Sequence, residues 1–125
     1  MKIVIETIPH GEQRYETAGD WFLDPDGTVR IRVSDLGRES FNNLLIVHEL
    51  VEWMLCRARG IDAATVDAFD LAYIKQGRQG EPGDDFMAPY WHEHQFAEGF
   101  ERLLGAELSV NWDEYDRCVE ALFEE

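Results

Sequence analysis

The sequence predicts a single α+β domain over residues 1–125, in which an N-terminal antiparallel β-meander of three or four strands precedes four α-helices. Two observations carry this prediction. Apolar and polar residues alternate in the first third of the chain, and the spacing becomes helical after about residue 36. Strands that come first and helices that follow are typical of the α+β class. A chain of 125 residues has the usual length of one domain.

The strand prediction is clearest at residues 28 to 34. Val29, Ile31 and Val33 fall on one face of that segment, and Arg30, Arg32 and Ser34 fall on the other. The preceding segment, residues 21 to 23, leads into the sequence DPDG at 24 to 27, in which proline and glycine favour a tight turn. These two segments therefore predict a hairpin, and the alternation at residues 3 to 6 adds a further strand.

Helix signals follow the strands. Ser40 is predicted to N-cap a first helix that runs to about Arg59, with Gly60 as its stop. Asp62 is predicted to cap a second helix that ends near Gln76.

The second half of the chain begins with a predicted loop. Residues 77 to 89 are rich in glycine and proline, and a third helix is expected at about 90 to 108. Asn111 followed by Glu114 resembles a capping box that opens the last helix.

Composition excludes several classes of function. Hydrophobic residues make up 45% of the chain and aromatic residues 12%, which indicates a packed globule. The net charge is −15, from 26 acidic and 11 basic side chains, so nonspecific nucleic-acid binding and binding to anionic membranes are not expected. A cationic partner would suit this surface.

The cysteines and the apolar segments indicate the compartment. Cys56 and Cys118 lie in separate predicted helices and form no CxxC pair, so both are expected to be small buried hydrophobic residues in a reducing environment. No uncharged apolar run approaches the ~18 residues of a membrane span, and the first residues do not resemble a secretory signal. A cytoplasmic location is the expectation.

The first helix carries the strongest functional signal. Each residue turns a helix by about 100°, which places His48 at the centre of an apolar face and Glu52 about 40° from it. Glu49 lies about 100° away, at the edge of that face. A buried carboxylate is costly unless it is paired or binds a metal. A plain structural His48–Glu52 pair is the simpler interpretation, and a metal site is the functional one.

The segment VHELVEW after a strand resembles the active-site helix of zincin-like metallopeptidases, whose HExxH motif supplies two zinc ligands and a general base. The resemblance covers residues 28 to 56 and extends loosely to small phage-type proteins. It implies that His48 is a ligand and that Glu49 is the catalytic base. Glu52 replaces the second histidine of the motif. Zn²⁺ is the metal that this resemblance favours, and a carboxylate ligand also suits Mn²⁺ or Fe²⁺.

A third ligand is expected from the later segment WHEHQFAE. On that helix Phe96, Gly99, Phe100 and Leu103 mark the predicted core face. His92 lies at the edge of this face and His94 points nearly opposite, so periodicity favours His92. His94 and Glu98, however, repeat the spacing of the first helix. Both histidines stay candidates.

Three functions follow from these patterns. The first is metal-dependent hydrolysis, or metal binding by a degenerate zincin relative without turnover. The second is a noncatalytic acidic interaction module. The third, a Mg²⁺-dependent nucleotide pyrophosphohydrolase, rests on the paired carboxylates Glu49–Glu52 and Asp67–Asp70. An acidic loop with Glu81, Asp84 and Asp85 could hold a cation, although an ordinary acidic turn is the simpler interpretation.

Overall fold

The computed structural model describes residues 1–124. Within these residues the chain forms three strands and then four α-helices, as the α+β prediction requires. The strands are β1 (Ile3–Ile8), β2 (Gly19–Leu23) and β3 (Val29–Ser34). The helices are α1 (Glu39–Ala58), α2 (Ala63–Lys75), α3 (Trp91–Glu107) and α4 (Trp112–Ala121).

The sheet is mixed, so the predicted antiparallel meander is wrong. β3 is the central strand; it pairs antiparallel with β2 and parallel with β1. The turn at Asp24 to Gly27 closes the β2–β3 hairpin as expected, with the Gly27 N–H donating to the Asp24 carbonyl oxygen. The segment 9–18 between β1 and β2 is too long for a tight hairpin. β1 therefore takes the other edge of β3, where it runs parallel.

The apolar face of β3 forms the centre of the core. Val29, Ile31 and Val33 are fully buried, which confirms the predicted inward face. Two groups of apolar side chains meet at this strand. One includes Trp53 and Cys56 of α1 with Trp21, and the other includes Phe41 and Leu44 of α1 with Tyr115 of α4. α1 therefore packs over the sheet along its whole length, and residues near its middle lie at the centre of the protein.

The helix ends agree with the sequence except at the start of α1. Asp62 and Asn111 each accept a backbone N–H three residues on, so both predicted caps are confirmed. Gly60 follows α1 with a φ of +72°, a conformation that favours glycine and ends the helix. Ser40 lies inside the first turn, and Arg38 occupies the N-cap position instead. The turn at Gly37 thus starts the helix earlier than the serine predicts.

α3 packs mainly against α1, and the short 3-10 turn Pro82–Asp84 lies between α2 and α3. Both cysteines are free thiols; Cys56 is buried and Cys118 is half-buried. Across residues 1–124 none of the helices combines the length and the apolar character that crossing a bilayer requires.

Candidate metal centre

α1 brings three polar side chains into the interior. His48, Glu49 and Glu52 are each at most 8% exposed. His48 and Glu52 lie one helical turn apart, and His48 Nε2 is 3.1 Å from Glu52 Oε2. The predicted shared face of these two residues is therefore present. Glu49, expected at the edge of this face, is as buried as they are.

His94 of α3 completes a compact cluster with His48 and Glu52. Its Nδ1 lies 3.1 Å from His48 Nε2 and 3.0 Å from Glu52 Oε2. The three facing atoms thus form a nearly equilateral triangle. Ligand atoms in a tetrahedral site with bonds near 2.0–2.1 Å are about 3.3 Å apart, so a small expansion would let this triangle hold a divalent cation. These residues form one of the potential metal-binding groups among the described residues.

Of the two candidate histidines of α3, periodicity favoured His92, whereas the structure brings His94 to the cluster. His92 is exposed, whereas His94 is buried in the cluster. The predicted core face is also wrong, because Phe96, Phe100 and Leu103 are exposed. The buried face instead follows a second helical stripe through His94, Ala97, Glu101 and Gly105. Small residues at two of these positions let α3 approach α1. The two polar residues of the stripe, His94 and Glu101, partner Glu52 and His48.

Glu101 fixes the far side of the His48 ring. The Glu101 Oε1 atom is 2.7 Å from His48 Nδ1, and the hydroxyl of Tyr115 on α4 donates to Glu101 Oε2. Histidine ligands of metal sites commonly donate their second N–H to a carboxylate, which sets the tautomer and the ring orientation. Here this arrangement would leave the Nε2 lone pair of His48 facing Glu52 and His94.

Trp21 of β2 orients the Glu52 carboxylate, as Glu101 orients the His48 ring. Its indole Nε1 donates to Glu52 Oε1 over 3.1 Å. The other carboxylate oxygen, Oε2, is the one that faces both imidazoles. One oxygen is thus held by the protein, and the second is directed into the cluster.

Glu49 is buried beside the cluster with one oxygen unsatisfied. Its Oε2 has no hydrogen-bond partner within residues 1–124. The carboxylate lies against Gly19, where a Cβ atom would approach Oε1 to 2.6 Å. Burial, and then the nearby negative charge of Glu52, raises the pKa of Glu49 well above its usual value. A buried carboxyl with a raised pKa beside potential metal ligands is a candidate acid–base group.

The charged groups of the cluster shift one another's pKa values. Burial alone would raise the pKa of Glu52, but hydrogen bonds from His48 and His94 outweigh it and lower that pKa to about 2. Burial likewise disfavours the charged form of His48, yet its bonds with Glu101 and Glu52 hold its pKa well above the usual value. Without a metal, the ionised Glu52 is therefore neutralised by imidazolium protons, which a divalent cation could replace.

The loop before α3 covers the outer side of His94. The nearest oxygens of Glu81 and Asp84 each lie 3.2 Å from His94 Nε2. Gly83 presses on the ring, because a Cβ there would approach the His94 Cγ and Nδ1 atoms to 2.5 Å. Asp85, the third acid of the predicted acidic loop, is paired with Arg78 instead.

Asp67 and Asp70, the second carboxylate pair singled out in the sequence, are held by other partners. Asp67 pairs with Arg14, with 2.9 Å between Asp67 Oδ2 and Arg14 Nη1. Asp70 is buried and accepts hydrogen bonds from the hydroxyls of Tyr15 and Tyr90. Neither aspartate belongs to a potential metal-binding group of the described chain.

A cavity of about 820 Å³ opens onto the cluster. Its wall contains the three α1 residues and His94, and it extends outward past Glu81, Asp84 and Tyr73. This volume falls within the range of small-molecule sites in proteins, roughly 300–1,000 Å³. The cluster is therefore buried on its protein side and accessible to small molecules on the other.

Comparison with known proteins yields no relative: no protein-family model, no curated protein and no solved structure matches this chain.

Sequence reasoning missed Glu101, Tyr115 and Trp21 as partners of the cluster. A usable signal for Glu101 is the spacing of His94, Ala97, Glu101 and Gly105, which forms a helical stripe with two small residues. Trp21 and Tyr115 gave no such signal, because a buried aromatic residue in a strand or helix is ordinary core.

Proposed function

We propose that this protein binds one divalent cation through His48, Glu52 and His94 and uses it for hydrolysis, with Glu49 as the acid–base residue. The observation that carries the proposal is the triangle of His48 Nε2, Glu52 Oε2 and His94 Nδ1, whose sides are 3.0 to 3.1 Å. Each of the two α1 ligands has its remaining polar atom held by the protein, as metal ligands commonly do.

The ligand set supports the zincin-like interpretation in composition. Two histidines and one glutamate also bind the zinc of several metallopeptidases. In this chain the second position of the helix motif is Glu52, and His94 of α3 supplies the second imidazole. The set also resembles the two-histidine, one-carboxylate sites of Fe²⁺ proteins. Zn²⁺ is the metal we propose, with Mn²⁺ or Fe²⁺ as alternatives.

The residues around the cluster could each take a defined role in hydrolysis. A bound divalent cation would supply Lewis acidity to a substrate or water molecule. The unsatisfied Oε2 of Glu49 would accept a proton from water in the cavity and return it to the leaving group. Glu101, Tyr115 and Trp21 would keep the ligands in place, and the cavity would admit a small substrate or a peptide segment.

A noncatalytic interaction module is the second candidate, and one observation favours it. Phe96, Phe100 and Leu103 of α3 are exposed, and Phe86 and Met87 of the preceding loop are exposed as well. Apolar side chains on an acidic surface suit a protein partner. In that function the His48–Glu52–His94 cluster would be held by protons alone.

Metal content distinguishes the two candidates. We expect the full chain, purified with neither added metal nor chelator, to retain about one equivalent of a transition metal, and Glu52→Gln to lose it because an amide is a poorer ligand. Glu93→Gln is the matched control, since Glu93 is an equally buried glutamate that pairs with Arg59. Elemental analysis is the measurement. Equal metal content in wild type and Glu52→Gln would contradict the proposal.

A further inference from the structure

The outer side of His94 carries a second group of potential cation ligands. The Glu81 and Asp84 side chains are 46% and 52% exposed, and an oxygen of each lies 3.2 Å from His94 Nε2. The His94 side chain is only 9% exposed. Both oxygens lie within ion-pair distance of Nε2, but neither forms a hydrogen bond with it, so Nε2 has no hydrogen-bond partner within residues 1–124.

This arrangement has a cost that a cation would remove. Two carboxylates that converge on one atom repel each other, and a buried ring nitrogen without a partner loses its hydration. A divalent cation between them would bind both oxygens and the nitrogen, and solvent would complete its coordination. We propose that Glu81, Asp84 and the Nε2 atom of His94 form an outer site for a divalent cation, at the mouth of the cavity.

The outer site and the inner cluster share the imidazole ring of His94. A neutral imidazole has one lone pair, so His94 serves either the inner cluster through Nδ1 or the outer group through Nε2. The outer site is therefore used when the inner ligand set is empty or disabled. The outer site is solvent-exposed and the inner cluster is buried. A cation can therefore bind first at the outer site on its way to the inner cluster.

The chemistry of the outer site differs from that of the inner one. Two oxygens, one nitrogen and access to water suit Mn²⁺ as well as Zn²⁺. Exposure to solvent weakens the attraction of the carboxylates, so we expect lower affinity than at the inner cluster. This inference rests on the proposed function only in that both sites use His94.

The test measures Mn²⁺ binding by equilibrium dialysis of the full chain after chelator treatment. Glu52→Gln disables the inner cluster, and we expect it to bind one Mn²⁺ per chain at least about tenfold more weakly than wild type. Adding Asp84→Asn should weaken that binding by a further tenfold or more. Adding Asp85→Asn instead removes the same charge from the next residue, which pairs with Arg78, and should have little effect.

The Mn²⁺ binding results distinguish failure of the outer site from failure of the inner one. Equal Mn²⁺ binding by the Asp84→Asn and Asp85→Asn double variants would overturn the outer site, as would a folded Glu52→Gln variant that binds no Mn²⁺. If wild type binds no more tightly than Glu52→Gln while Asp84→Asn still weakens binding, the outer site stands and the inner one fails. His48→Gln serves as the second inner variant should Glu52→Gln not fold, as judged by circular dichroism.

Discussion

The Nε2 atom of His48 and the Nδ1 atom of His94 lie 3.1 Å apart, although the two residues are 46 positions apart in the sequence. Glu52 Oε2 is close to both atoms. Protons can hold such a cluster together, and so can a metal ion. The two cases differ in how the protein responds when a ligand, a residue that orients a ligand, or the acid–base residue is changed.

Replacing Glu49 by glutamine separates chemistry from binding. We expect Glu49→Gln to retain the metal and the fold, because Glu49 is outside the His48–Glu52–His94 triangle. Turnover by the Zn²⁺-loaded protein should fall at least about 100-fold, since an amide cannot accept a proton. The measurement is hydrolysis of a panel of chromogenic ester, peptide and phosphodiester substrates. Full turnover by this variant would remove Glu49 from the mechanism.

Glu101 is expected to act on the metal through His48. Glu101→Gln keeps the size of the side chain but removes the charge that sets the His48 tautomer, so metal affinity should fall about 10- to 100-fold. Tyr115→Phe should have a smaller effect in the same direction. Competition with a chromogenic chelator measures the affinity.

Tyr73→Phe is the control for the tyrosine variant, because the Tyr73 hydroxyl donates to the Gln79 carbonyl oxygen away from His48. If Glu101→Gln binds metal as tightly as wild type, the carboxylate is a structural partner of His48 and does not tune the ligand.

Gly83 allows the loop to rest on His94. A methyl group at residue 83 would meet the imidazole at 2.5 Å, so Gly83→Ala must displace either the loop or the ring. We expect a loss of about 1–3 kcal/mol in the free energy of unfolding, together with weaker metal binding. Thermal melts and metal titrations measure the two effects.

Gly99→Ala is the matched glycine variant on α3. Apart from its chain neighbours and the backbone of its own helix, no described heavy atom lies within 4 Å of the added Cβ, so this change should stabilise the helix by roughly 0.5–1 kcal/mol. A Gly83→Ala protein that is as stable and binds metal as well as Gly99→Ala would show that the loop does not constrain His94.

Asp70 should give the protein a pH-dependent stability. Burial raises its pKa to about 6, against the opposing hydrogen bonds from Tyr90 and Tyr15. The folded state therefore favours the protonated carboxyl. Its stabilising effect is complete below the usual pKa near 3.8 and is lost as the pH rises through 6. Between about pH 4 and 7 the wild type should lose on the order of 2 kcal/mol relative to Asp70→Asn.

Urea unfolding of both proteins, over that pH range and in the presence of chelator, measures this difference. Asparagine does not titrate, so any constant effect of the substitution on packing cancels from the slope. A difference that is independent of pH, or that favours the wild type as the pH rises, would show that Asp70 is ionised in the folded protein throughout.

The order of elements could be read from the sequence because it depends on local signals. The alternation at 28 to 34 placed β3, and Asp62, Asn111 and Gly60 marked helix ends, since capping and left-handed turns involve neighbours in the chain. The pairing of β1 with β3 could not be read in this way. Strand partners are chosen among edges that are distant in sequence, and the parallel pairing followed from which edge was left.

The candidate site was likewise determined partly by the sequence and partly by the tertiary structure. The spacing of His48 and Glu52 along one helix determines that they share a face, because the helical repeat is fixed by the backbone. The choice of His94 over His92 depended on which stripe of α3 meets α1. Hydrophobicity favoured the face with Phe96 and Phe100, whereas the docked helix buries the stripe with Ala97 and Gly105. Two features decided that packing. The small residues let the two helices approach closely, and the buried charged side chains found partners there. Both features exist only in the folded chain.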